Sequence, residues 1–245
     1  MENQSELAKL FFELASDSRL SILFELRNEA LKMQDVARRL DVTATEAFRQ
    51  LERLSAALLV ARKPEGTYVV TTFGKLVMQL FSPLSFVLKY RDYFAAHDVF
   101  VLPTQFVNRL GELSGAKLIT DTMESINKAE RLFMEMKQYG WGMAEGVIPE
   151  LMGPVMEQQL QKGVKMRFLV PMEKLHANPD RVANLEARGL ADVPVIIALS
   201  EKEAFVCFRT KERKMDYAAF YGADPLFLNW ASDLFLFYWE KGNRV

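Results

Sequence analysis

Thr45, Glu46, Arg49 and Arg53 stand at positions i, i+1, i+4 and i+8 of the stretch DVTATEAFRQLERLSAALLVARKPEGTYVVTTFG, Asp41–Gly74. At about 100° per residue, such spacing gathers them on one side of a helix. Arg49 and Arg53 suit phosphates or guanine edges, Gln50 on the shoulder suits adenine, and Thr45 suits a phosphate at the helix amino end or a thymine methyl. Glu46 either accepts from cytosine or holds an arginine in position, because a bare carboxylate facing phosphate is repelled. Arg62 and Lys63 follow, where a hairpin would bring them to a nucleic-acid backbone. Together with Thr43, these residues are the candidate contacts to double-stranded DNA.

The other side chains with reactive potential are sparse. Cys207 is the single cysteine and His97 and His176 the only histidines, so an intrachain disulfide and a thiolate zinc cluster are excluded. Neither HDVFVLPT nor HANPDRVA supplies the lysine of an H-x-K-x4-D phosphodiesterase motif. No G-x-x-x-x-G-K-[ST] or G-x-S-x-G occurs, and GWGMAEG is one residue out of register for a dinucleotide fingerprint. The chain is expected not to be an enzyme and to carry no cofactor or metal.

Charge must be read locally, because 31 basic and 32 acidic residues leave a net −1. From Lys32 to Lys63 seven basic residues stand against four acidic ones, an excess of three. This is modest for a nucleic-acid surface and favours reading two half-sites with two copies.

The elements that must position these residues are helices with apolar stripes. Leu7, Leu10, Phe11 and Leu14 mark the first; Asp17 is placed to cap a second, in which Leu20, Leu23, Phe24 and the Arg27 stem cover a core. MQDVARRL forms a short third helix with Met33, Val36, Ala37 and Leu40 on one face. In the fourth, Thr43 or Thr45 is the cap and Ala44, Ala47, Phe48, Leu51, Leu54 and Leu58 form the core side. VARKPEGTYVVT then reads as two strands around Pro64, Glu65 and Gly66. Three helices and a basic hairpin are the order of a winged helix-turn-helix.

ELASDSRLSILFEL, MQDVARRLDVTATEAFRQLERLSAALLV and YVVTTFG together resemble the archaeal winged-helix regulators related to the arsenical-resistance repressor family. The resemblance covers about the first 75 residues. Ala56-Ala57-Leu58-Leu59-Val60 stands where such proteins usually place a glycine before the wing. HDVFVLPTQFVNRLGEL resembles the start of the regulatory domain found behind winged helices in methanogen and other archaeal regulators. PVMEQQLQKGVKMRFLVP is similar to a helix and strand of phospholipase D-like effector domains.

The expected architecture is α+β: a winged helix over residues 1–75, a helical linker over 76–96 and a mixed α/β regulatory domain over 97–245. In the linker, Phe73, Leu76, Val77, Leu80, Leu84, Val87 and Leu88 form a stripe that either pairs two chains or packs on the chain's own second domain. Beyond it, helices are expected near 103–112, 122–137, 149–162, 179–188 and 225–240, and strands near 116–120, 141–147, 164–170, 194–200, 203–209 and 216–221. Trp141, Met143, Arg167, Tyr217 and Tyr221 are candidates to line a small-molecule pocket, with Arg167 orienting an anion; aromatics and methionines on strands are otherwise core. LFLNWASDLFLFYWEKG is apolar around most of its circumference, which buries it in its own domain or against a partner.

No stretch is apolar for long enough to cross a bilayer and the first twenty residues lack a signal-peptide core, so a cytoplasmic protein without membrane contact is expected. The function these features imply is a sequence-specific, homodimeric DNA-binding regulator with a domain sensing a small-molecule effector or a partner. The alternative is a protein-interaction module whose winged helix no longer binds DNA, to which the neutral net charge and Glu46 point.

Overall fold

The computed structural model describes residues 2–145, 153–177 and 186–244. The chain divides into two compact units, residues 1–82 and 83–245.

In the first unit, helices α1 (Glu2–Leu14), α2 (Asp17–Asn28), α3 (Met33–Leu40) and α4 (Ala44–Ala56) precede a hairpin of β2 (Val60–Arg62) and β3 (Thr67–Val70). A two-residue strand, β1 (Leu31–Lys32), completes an antiparallel sheet of order β1-β3-β2, and α5 (Thr72–Gln79) follows. This is the winged-helix arrangement. Ile22, Leu23 and Leu26 meet Leu31, Val36, Leu51, Leu54, Leu59, Tyr68 and Val70 in one core. Ser16, not Asp17, is the residue before α2, and Asp17 is its first helical residue. Leu23 is buried as expected, but Phe24 and Arg27 are exposed and Ile22 and Leu26 lie inside. In α1, Leu10 and Leu14 pack on the core while Leu7 and Phe11 stay exposed.

The hairpin turn has a local cause. The Gly66 N–H donates to the Lys63 carbonyl across Pro64 and Glu65, and Gly66 takes φ +86°, a left-handed conformation that glycine adopts without steric cost. At the other end of the wing, Thr71 caps α5 through the Gly74 N–H and donates its hydroxyl to the Leu58 carbonyl. A Cβ on Gly74 would collide with the Leu59 carbonyl, so only glycine permits this approach.

In the second unit, α6 (Phe81–Lys89), which begins at its boundary, α7 (Arg91–Ala96) and α8 (Thr104–Val107) precede a 3-10 turn at Leu110–Gly115. Then come β4 (Lys117–Ile119), α9 (Thr122–Glu135), β5 (Tyr139–Met143), α10 (Gly153–Gln161), β6 (Lys165–Pro171) and α11 (Met172–Ala177). The chain continues through β7 (Glu186–Leu190), β8 (Val195–Ser200), β9 (Ala204–Phe208), β10 (Ala219–Gly222) and α12 (Pro225–Lys241). The seven strands form one mixed sheet of order β4-β10-β9-β8-β5-β6-β7, parallel only across β5, β6 and β7. Every residue of β8 and β9 is buried, as befits strands covered on both faces.

On one face, Phe227, Trp230, Leu234 and Phe235 of α12 pack over Met143, Leu169, Ile197, Leu199 and Phe208. On the other, Ala129, Leu132 and Phe133 of α9 pack over Met166, Phe168, Ile196, Ala198 and Phe205. The apolar α12 is therefore core, started by Asp224, whose carboxylate accepts from the Leu226 and Phe227 N–H groups. Gly140 and Gly142 face α9, where a Cβ would overlap the Met136 thioether or the Phe168 ring. Close packing explains the GWG spacing without a nucleotide.

The helix expected over 179–188 is corrected in part. Residues 186–188 belong to β7, paired in parallel with β6 from Arg167↔Glu186 to Pro171↔Leu190; residues 178–185 lie outside the described set. The same applies to 146–152, the start of the helix expected from 149. Among the described residues, no helix is long and apolar enough to cross a membrane.

Candidate nucleic-acid interface

The turn between α3 and α4 is built without glycine. Asp41 closes α3 in the left-handed region (φ 52°), where a short polar side chain is tolerated, and the Val42 N–H returns to the Ala37 carbonyl. Two residues later the Thr43 hydroxyl accepts from the Glu46 N–H. Thr43 is thus the amino-terminal cap of α4, and its side chain is committed to the helix.

The rotation of α4 differs from the expected one. Ala47, Gln50, Leu51 and Leu54 face inward, whereas Ala44, Thr45, Phe48, Arg49 and Glu52 are exposed. Ala44, Phe48 and Leu58, expected in the core, lie outside it. Gln50, expected to read adenine, is only 5% exposed: its amide oxygen accepts from Arg19 Nη1 at 2.9 Å and its amide nitrogen donates to Glu46. Arg19 is itself buried and donates to the Phe12 and Glu13 carbonyls at the end of α1. Two buried polar side chains satisfy each other, which is what draws Gln50 inward.

Arg53 is held by α1. Its Nε and Nη2 donate to the Glu13 carboxylate at 3.0 and 2.7 Å, and its guanidinium lies 5.2 Å from the centroid of the Phe12 ring. The Arg53 contact holds the Glu13 carboxyl below its ordinary range. Arg49 is the exposed cation of the helix, its side chain 65% accessible, with its Nε and Nη2 donating to the Glu46 carboxylate. Glu46 therefore orients Arg49 and Gln50 together, the positioning role that its sequence position allowed. Arg49 keeps it ionised below the ordinary carboxylate range.

On the wing, Arg62 and Lys63 are exposed. Lys63 is 3.9 Å from Glu65, and Arg62 has no ion partner among the described residues. Arg38, on α3, is also strongly exposed, next to Asp35. Thr45 and Arg49 on α4, Arg62 and Lys63 on the wing and Arg38 on α3 are thus exposed donors of this unit. Arg38 and Phe48, neither of them among the residues expected to contact DNA, are also exposed in this unit.

The helix exit runs through Leu58, with no glycine. The Leu58 and Leu59 N–H groups return to the Ser55 and Leu54 carbonyls, and Leu58 takes φ 59°. Leucine occupies a left-handed position that glycine would fill without strain.

The second unit does not assemble the expected pocket. Trp141 and Met143 lie on the α12 face, where Trp141 stacks on Phe235 and Met143 is fully buried. Arg167 projects to the same face, over Trp141 and Trp239, and pairs with Glu186 at 2.8 Å. Tyr217 and Tyr221 pack on the opposite, α9 face. The alternation of side chains along strands separates the five residues. His97 is buried, with Nδ1 on the Tyr93 carbonyl at 2.8 Å and Nε2 on Asp216 at 3.1 Å. Cys207 is fully buried, and burial pushes its thiol up to about 12.

The archaeal chromatin protein TrmBL2, whose structure is described as showing a novel mode of DNA binding, aligns over 94% of both chains at 15% identity and a TM-score of 0.46. HlyU from Vibrio cholerae N16961 aligns at 27% identity over 34% of this chain and 94% of its own, with a TM-score of 0.30. NucT from Helicobacter pylori covers 53% of this chain and 97% of its own at 10% identity and a TM-score of 0.41. At these TM-scores none of the three decides a function for this chain. No curated protein matches in sequence. A family is matched over part of the chain: residues 7–90 match the one described as the HVO_A0261 N-terminal domain, a span that takes in α4 and the wing.

Proposed function

We propose that the chain is a sequence-specific DNA-binding transcriptional regulator that works as a homodimer, with residues 97–245 as its ligand- or partner-sensing part. The observation that carries this is the exposed amino-terminal half of α4, with Thr45 and Arg49, in one small domain with a wing bearing exposed Arg62 and Lys63. A recognition helix contacts base edges with its amino-terminal residues, and a wing reaches the backbone. Family resemblance to arsenical-resistance-type regulators is part of the same reading.

Pairing of two copies has support in exposed apolar side chains: Phe73, Leu76 and Leu80 on α5 and just after it, and Leu84 and Leu88 on α6. For the second unit, a phospholipase D-like sensory fold rests on the order of α10 and β6 within a layered sheet. A sensor is preferred to an enzyme because His97 and Cys207 are buried and His97 has both ring nitrogens engaged. A cytoplasmic location follows from the regulatory role.

The test is fluorescence anisotropy of the full chain against DNA from its own upstream region and a scrambled control, at several salt concentrations. Tight, sequence-dependent binding whose logarithm falls linearly with the logarithm of salt is expected. Equal, weak binding to both, unchanged in Arg49→Ala, would replace the DNA reading with the protein-interaction module. That rival draws on the engagement of Arg49 and Arg53 by Glu46 and Glu13.

A further inference from the structure

Phe48 is the anomaly of the α4 surface. It sits one turn into the helix, 47% exposed, flanked by Ala44, Thr45 and Arg49, and has no aromatic partner among the described residues. The core of the unit closes through Ala47, Leu51 and Leu54 without it. Its neighbours along the exposed side of the helix are a methyl side chain, a threonine carrying both a methyl and a hydroxyl, and Arg49, whose guanidinium is accessible. An apolar spot beside an accessible arginine matches one feature of duplex DNA, the 5-methyl of thymine projecting into a major groove bordered by phosphates. Alanine, the threonine methyl and phenylalanine are the side chains that contact it.

We propose that Phe48, with Ala44 and the Thr45 methyl, reads thymine methyl groups in the major groove, so that the preferred site carries thymine opposite the first turns of α4. This rests on the DNA-binding reading above and names its specificity residue. Arg49, oriented by Glu46, then fixes the helix on an adjacent phosphate or guanine. Glu52, a turn beyond Phe48 on the same exposed face, marks where contact with the anionic groove ends.

The experiment selects bound duplexes from a pool of 30-base-pair DNAs with a randomised core. The best duplex is then prepared with thymine or with uracil, which lacks only the methyl. Burying one methyl contributes about 0.8 kcal/mol, so wild-type affinity should fall roughly fourfold per methyl removed. Phe48→Ala should bind both duplexes equally, with the salt dependence of wild type, and Phe48→Leu should keep part of the discrimination. Equal binding of wild type to thymine and uracil duplexes would overturn the proposal while leaving DNA binding intact, as would discrimination that survives in Phe48→Ala. A chain that selects no duplex overturns both readings. Loss of self-association in Phe48→Ala, measured by sedimentation, would assign the ring to an interface between copies instead.

Discussion

The Arg53 guanidinium meets the Glu13 carboxylate through two hydrogen bonds, 3.0 and 2.7 Å long, across 40 residues of sequence. This pair joins the end of α1 to the carboxy-terminal half of α4, and Phe12 covers the guanidinium from one side. An arginine so placed steadies the helix that would enter a groove, while Arg49, one turn earlier, stays accessible.

Arg49 and Arg53 should therefore separate in a binding assay. Arg49→Ala is expected to lower DNA affinity and to reduce the slope of log affinity against log salt by about 1, the signature of one lost phosphate contact. Arg53→Ala should leave that slope at the wild-type value. Equal slope changes in both variants would show that Arg53 leaves Glu13 to contact DNA.

Glu13→Gln should lower stability at neutral pH by about 1 kcal/mol, the scale of a partly exposed ion pair with good geometry. Because Arg53 depresses the folded carboxyl, Glu13 contributes stability above its unfolded value, and that contribution is lost as pH falls through the lower folded value. Urea denaturation at pH 7 and at pH 3 is the measurement. The gap between wild type and Glu13→Gln should shrink at the lower pH; a constant gap would mean that the carboxylate charge plays no part.

Leu58→Gly should raise the midpoint of thermal unfolding. A left-handed leucine costs about 1–2 kcal/mol, more than the backbone entropy a glycine adds to the unfolded chain, and the side chain is mostly exposed. A lower midpoint would show that the Leu58 side chain makes a stabilising contact.

Cys207 should stay unreacted with an aromatic disulfide reagent in the native protein and react fully in denaturant. Its thiol is fully buried and pushed up to about 12 by that burial, so almost no thiolate exists at neutral pH. Prompt labelling of the native chain would reveal an opening of the β9 region.

By itself, the sequence determined the order of helices α1 to α4, the hairpin and most of the later alternation of strands and helices. Each is encoded by local periodicity, caps and turn residues such as Thr43, Pro64 and Gly66. Only the tertiary structure decided which way α4 is turned. A helical period defines a face, but shoulder positions go to whichever side supplies a partner: Arg19, 31 residues away, drew Gln50 inward, and Phe48 was left outside. Neither β1 nor β7 was legible, since two residues carry no period and Glu186–Leu190 is extended through pairing with β6. Nor did composition show that Trp141 and Tyr221 lie on opposite faces of one sheet. That separation comes from strand order and alternation, which are fixed only when the strands meet.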